Sequence, residues 1–159
     1  MPKAKPDQQP HQRANMLPDQ PPWLTHTIHL RSRYSETDKM GYVYHGRFLE
    51  YFEVARTEFI RQAGLPYADL ESRGIMLPVR RVEIAYNRPV YYDELMEVSI
   101  LIYRRPDVKL ETYYTVHAAD SAKPNVTGWV QLVFIDSNAR RPMDAPQEFL
   151  DAMDAFGKQ

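Results

Sequence analysis

One helix-length stripe of aromatic side chains, set in a chain that otherwise alternates in the manner of strands, most restricts what this sequence can fold into. Phe48, Phe52, Ala55, Phe59 and Ala63 recur at spacings of four and three, which lines one face of a helix with apolar groups. Glu50, Glu53, Thr57 and Arg61 fall on another side. Gly64 and Pro66 stop the helix, because glycine takes the left-handed position after the last turn and proline cannot continue it. The start is less orthodox. Neither His45 nor Gly46 is a strong N-cap, so the N–H groups of the first turn lack an obvious local acceptor. A helix start left open in this way, just after a polar loop carrying Asp38, can bind an oxygen that does not belong to the protein.

Such a stripe has to be buried, and the rest of the chain supplies the surface. Ile28, Leu30 and Tyr34 alternate with His29, Arg31 and Arg33, which predicts a first strand. A second runs from Ile75, with Val82, Ile84 and Tyr86 on one face. Met96, Val98, Ile100 and Ile102 mark a third. Val108, Leu110, Tyr114 and Val116 mark a fourth, and Val126, Val130, Leu132 and Phe134 a fifth. Phe149, Met153 and Phe156 share one side of a short closing helix. Strands two to five are joined by short connections, which argues for an antiparallel sheet and an α+β layer architecture with one long helix on it. The opposite faces carry Leu77, Val79, Leu101, Tyr103, Trp129, Val133 and Ile135, so part of that surface is expected to be covered by another subunit.

Residues 1–22 are rich in proline and glutamine, with only Met16 and Leu17 as sizeable apolar groups after the initiator. They read as a disordered tail ahead of a domain spanning 23–159. A net charge of −1 gives no electrostatic reason to expect nucleic acid or an anionic membrane. With no cysteine, thiol catalysis, disulfides and thiolate metal sites drop out together. No apolar run approaches membrane-spanning length and no secretory signal is evident, so the expected location is the cytoplasm.

The run Y-S-E-T-D-K-M-G-Y-V-Y-H, from Tyr34 to His45, followed by F-L-E-Y-F-E-V-A-R, resembles the hotdog-fold acyl-CoA thioesterases of the hydroxybenzoyl-CoA thioesterase type, including the bacterial Tol–Pal-associated members. In looser form the resemblance covers about Thr25 to Leu150. It implies a hotdog fold, a five-stranded antiparallel sheet wrapped around one long helix. It also implies a homodimer or homotetramer and an activity that hydrolyses an acyl- or aroyl-CoA thioester to free acid and CoA. Coenzyme A would then be part of the substrate, with no separate cofactor and no metal. Two other classes stay open beside it: a non-catalytic acyl-CoA-binding protein, and a hotdog dehydratase or hydratase.

By the same resemblance, Asp38 matches the catalytic aspartate, His45 the histidine or tyrosine at the helix start, and Tyr34 a tyrosine upstream of the aspartate. The His45 backbone N–H matches the donor that polarises the thioester carbonyl. Thioester hydrolysis needs a nucleophile or general base and a donor where negative charge develops, and this set supplies both. Each residue also has a structural reading. Asp38 can make an Asx-type turn, His45 can cap the helix, and Tyr34 can be the last core residue of strand one. Arg80 and Arg81 are the first candidates for the phosphates of coenzyme A, followed by Arg88, Arg104, Arg105 and Lys109. Glu53 and Arg56, three apart, read as an ion pair. Met40 before Gly41 is expected to narrow the pocket, and Tyr42, Tyr44, Tyr51, Tyr86, Tyr91 and Tyr92 can line a cavity for an acyl or aromatic group.

Overall fold

The computed structural model describes residues 16–159. The chain runs β1 (Leu24–Arg31), a 3-10 turn (Tyr34–Glu36), α1 (Arg47–Gln62), α2 (Tyr67–Ser72), β2 (Ile75–Met76), β3 (Val79–Tyr86), β4 (Leu95–Ile102), β5 (Lys109–Ala118), β6 (Val126–Val133), β7 (Ile135–Asp136), β8 (Arg141–Pro142) and α3 (Gln147–Phe156). The long strands form one antiparallel sheet in the order β1-β4-β5-β6-β3. This is the expected α+β hotdog arrangement.

The stripe on α1 is the centre of the core. Phe48, Phe52, Ala55 and Phe59 are buried, joined by Tyr51 and Ile60. Opposite them the period-two residues Met96, Val98, Ile100, Leu110, Tyr114, Val116, Val130 and Leu132 are buried too. Each fully buried side chain of this size contributes about 1.5–3 kcal/mol. Phe52 lies at the tightest point. Its ring stacks on Tyr114 with centroids 4.3 Å apart. On the sheet beside it stands Gly128, where a Cβ would come within 2.2 Å of the Phe52 ring. The close helix–sheet approach therefore requires glycine there. Along the chain from α1, Phe149 and Met153 of α3 close the core, with Phe134 against Phe149 at 5.1 Å.

Several local expectations need correction. β1 ends at Arg31, and Tyr34 lies in the turn beyond it, 78% exposed, so it is not a core residue of that strand. The second strand is broken at Leu77-Pro78, since proline offers no N–H to a ladder. Its first part, β2, pairs with β7 in a small separate sheet with β8. Helix α2, starting directly after Pro66, has no counterpart in the sequence reading. Arg56 does not pair with Glu53. It is buried, and its Nε donates to the Tyr67 hydroxyl at 2.8 Å.

The apolar residues on the outer sheet face are mostly half-buried or buried within the chain itself, with Val133 and Tyr113 among the buried ones. The edge strand β3 also exposes apolar groups, at Val79, Val82 and Tyr86. Of the proposed tail, residues 1–15 lie outside the described residues, and Met16 is buried. No helix among the described residues is long and apolar enough to cross a membrane.

Candidate active site

The polar loop between β1 and α1 folds into a miniature hairpin. Thr37 and Val43 bridge, the Tyr44 N–H donates to the Glu36 carbonyl at 2.9 Å, and the Asp38 N–H donates to the Tyr42 carbonyl at 3.0 Å. Its tip turns at Gly41, whose φ of +84° is a conformation glycine adopts without strain. Asp38 stands where the tip begins. Its Oδ1 accepts the Met40 N–H at 2.9 Å, so the Asx turn foreseen for it does form. That bond uses one carboxylate oxygen and leaves the other unengaged by the loop.

Two further attachments place the hairpin. Val43 N–H donates to the Val90 carbonyl at 2.8 Å, and Tyr42 bridges to Tyr91. On the other arm the Glu36 carboxylate, buried, accepts the Tyr51 hydroxyl at 2.7 Å and the Arg33 N–H at 2.8 Å. Burial and then this hydrogen bond push the Tyr51 phenol well above its ordinary range, so it stays a donor.

Beyond the hairpin the chain enters α1. Gly46 is the N-cap residue and makes no side-chain cap bond, as its sequence implies. The His45 carbonyl is taken by the Tyr86 hydroxyl at 2.9 Å. Burial, and then the neighbouring Tyr44, push the Tyr86 phenol up as well. The His45 ring packs on Tyr44 at 4.2 Å and edges toward Tyr86 at 6.2 Å.

Hairpin tip and helix start meet across a cleft of about 350 Å³. Asp38, Met40 and Tyr42 line one side, His45 and Phe48 another, and Arg88 borders it too, with its Nη1 donating to the Ser121 hydroxyl at 3.1 Å. The loop bearing Arg88 is held firmly. Asn125, buried, accepts the Asn87 and Arg88 N–H groups on its carbonyl at 2.8 and 3.0 Å, and its side-chain amide donates to the Pro89 carbonyl at 3.0 Å.

A carboxylate facing an uncapped helix start across an apolar cleft is a chemical arrangement many folds could hold, and comparison with known proteins narrows it. The profile of the thioesterase-like superfamily matches residues 32–153, which takes in the hairpin, the central helix and four of the five long strands, β3 to β6. The chain belongs to the thioesterase-like superfamily. Bacillus subtilis YneP, provisionally named an acyl-CoA thioesterase, is 32% identical over 127 residues, 79% of this chain and 91% of that protein. The acyl-CoA thioester hydrolase YbgC of Escherichia coli is 30% identical over 70 residues, 44% of this chain and 52% of its own. Among solved structures, a DHNA-CoA thioesterase from Staphylococcus aureus superposes with a TM-score of 0.75 at 30% identity, over 84% of this chain and 89% of that one.

Within this thioesterase-like chain the cleft gathers some of the residues singled out in the sequence and not others. Asp38 and His45 share it. Tyr34 does not line it, and its ring instead meets Tyr92 edge-on at 5.8 Å. Arg80 and Arg81 lie on β3 outside it, beside a bulge, with Arg81 over the Trp129 ring at 6.0 Å. Of the six cations considered for coenzyme A, Arg88 is the one that reaches the cleft. Glu36 and Asn125 carried no expectation. Glu36 stands two residues before Asp38, in a motif where a single carboxylate drew the attention, and a buried partner on α1 is invisible in local pattern.

Proposed function

We propose that this protein hydrolyses acyl-CoA thioesters in the cleft between the hairpin tip and the start of α1. The observation that carries the reading is the placement of Asp38 in one cleft with His45, which directly precedes the N-cap Gly46 of α1, where no side chain caps the helix. A thioester carbonyl laid against that start would point its oxygen at backbone N–H groups and the positive end of the helix dipole, where the developing oxyanion is stabilised without reorganisation.

Asp38 has two chemically complete roles. As a general base it takes a proton from water as the water oxygen bonds to the carbonyl carbon. The tetrahedral intermediate then collapses, the C–S bond breaks, and the departing thiolate recovers the proton. As a nucleophile its free carboxylate oxygen bonds to the carbonyl carbon, CoA leaves as thiolate, and water hydrolyses the acyl anhydride left on Asp38. His45, lining the same cleft, is the candidate proton donor to sulfur. Arg88 suits an anionic portion of the substrate. Tyr34 lies outside the lining of this cleft, so any part it takes in the reaction would be from beside it, and Arg80 and Arg81 reach coenzyme A only if its nucleotide end runs along the β3 edge. Neither role requires a metal or a separate cofactor.

Assembly and location belong to the same proposal. The free edge of β3, with Val79, Val82 and Tyr86 exposed, suits a second copy of the chain, giving a homodimer or homotetramer in the cytoplasm.

The test is thiol release from a panel of short, long and aromatic acyl-CoAs by the native protein and by Asp38→Asn. Asparagine keeps the oxygen that accepts the Met40 N–H, so the variant should fold like the native protein. Turnover should fall at least about a hundredfold while CoA binding persists. Full turnover by a folded Asp38→Asn protein would leave Asp38 as a turn residue only. Binding without turnover across the panel would favour the non-catalytic acyl-CoA-binding reading.

A further inference from the structure

The two arms of the active-site hairpin are restrained by different means. Backbone hydrogen bonds to Val90 and Tyr91 hold the 42–44 arm. The 36–38 arm, which carries Asp38, is attached to the central helix by a side chain. Glu36, 9% exposed, receives the Tyr51 hydroxyl at 2.7 Å and the Arg33 N–H at 2.8 Å on the same oxygen, Oε2. Tyr51 is itself buried, edge-on to Phe48 at 5.5 Å, in the first turns of the helix whose start lines the cleft. Only Thr37 separates Glu36 from Asp38.

The hairpin's own bonds fix Asp38 relative to the loop, and the 42–44 arm meets the helix start through the Arg47 N–H, which donates to the Tyr44 carbonyl at 2.9 Å. The Glu36–Tyr51 bond is the side-chain tie that joins the arm carrying Asp38 to the helix further along. A hydrogen bond between a buried carboxylate and a buried phenol is sheltered from water, and breaking it leaves a buried acceptor short of a partner. We propose that Glu36 and Tyr51 are positioning residues for thioester hydrolysis, their hydrogen bond setting the separation between Asp38 and the start of α1. The inference rests on Asp38 being the reacting carboxylate, as argued above. It assigns no chemistry to Glu36 itself, which is buried and does not line the cleft.

The experiment measures kcat and KM by thiol release, and CoA affinity by calorimetry, on Glu36→Ala, Glu36→Gln, Tyr51→Phe and the double variant Glu36→Ala with Asp38→Asn. A catalytic group displaced by about 1 Å loses up to roughly a hundredfold in rate. Glu36→Ala should therefore lose about ten- to a hundredfold in kcat, with CoA affinity held within about threefold. Glu36→Gln, whose amide oxygen can accept both bonds, should keep most of its turnover, and Tyr51→Phe should fall between the two. Adding Glu36→Ala to Asp38→Asn should cost nothing further, because the effect passes through the Asp38 carboxylate.

Native kcat in a folded Glu36→Ala or Tyr51→Phe protein overturns the inference, and so does an equal extra loss on the Asp38→Asn background. If Glu36→Ala does not fold, Tyr51→Phe, which removes a single oxygen, carries the same comparison. Full activity of Asp38→Asn has a different signature: it removes the underlying reading, and this inference with it.

Discussion

Replacing Gly128 by alanine probes the contact on which the placement of the central helix depends. A Cβ at this position would lie 2.2 Å from Phe52 Cε2 and 2.6 Å from Cζ, against the 3.5–4.0 Å of ordinary carbon contact. More than about 1 Å must be recovered by movement. Phe52 is 1% exposed and already stacked on Tyr114 at 4.3 Å, so its ring has no free side to turn toward. Either α1 lifts or β6 bends. Overpacking of this kind costs about 1–3 kcal/mol, and a clash against two ring atoms belongs near the top of that range. Removing glycine from the unfolded chain returns roughly 0.4–1 kcal/mol, leaving a net loss of about 2 kcal/mol. For a chain of this length that is a fall in Tm of about 4–8 °C. Urea unfolding of Gly128→Ala, Phe52→Leu and the pair measures it. Each single change should destabilise, and the double should lose clearly less than the sum, since the smaller side chain makes room for the methyl group. An unchanged or raised Tm in Gly128→Ala, or strict additivity, would refute the packing argument.

Arg88→Ala should raise KM for an acyl-CoA about three- to fivefold with kcat unchanged, the scale of an exposed ion pair, and the difference should shrink in high salt. An unaltered KM at low salt would remove Arg88 from substrate binding. Val82→Glu places a charge on the exposed β3 edge, so light scattering should show smaller assemblies than the native protein forms; an unchanged mass would move the proposed interface elsewhere. Burial pushes Tyr114 up to about 12, with Tyr51 and Tyr67 raised in the same direction. These groups are protonated more firmly in the folded chain than in the unfolded one. Their contribution is therefore complete below about pH 10 and is lost as pH rises from there through about 12. Thermal melts should hold steady from pH 8 to about 9.5 and then decline, and a flat profile to pH 11.5 would contradict the assignment.

The aromatic stripe on α1 and the alternation in β4 to β6 were legible because each is a local period repeated over several residues and opposed by its complement. Pro78 broke the second strand because a missing N–H matters only once the neighbouring strand, β6, is known. Tyr34 continued the alternation of β1 in sequence, yet the chain turns at Ser32, whose N–H and hydroxyl are engaged by the Glu94 and Tyr91 carbonyls at 3.0 and 2.6 Å. In the site, Asp38 and His45 could be found because they lie close together in the motif. Glu36 with Tyr51 and Asn125 with Pro89 could not, since each pairing joins segments with no local signal between them. Arg56 shows the same limit: its i, i+3 neighbour Glu53 was the natural partner on a helix surface, but burial turned it toward Tyr67 instead.

The strand order β1-β4-β5-β6-β3 has a consequence for how the chain reaches this state. β4, β5 and β6 are joined by tight connections and can assemble as a meander soon after they exist, whereas β1 must wait for β4 and β3 for β6. At translation rates of about 5–20 residues per second, β3 is made seconds before the strand it pairs with. Its Val79, Val82 and Ile84 therefore spend that interval without a partner, and non-local pairing of this sort closes slowly. Pulse-labelled hydrogen exchange during refolding should accordingly find amides of β5 protected ahead of those in β3. The two strands that wait longest for a partner, β1 and β3, are thus the same two whose outer edges remain open in the finished fold.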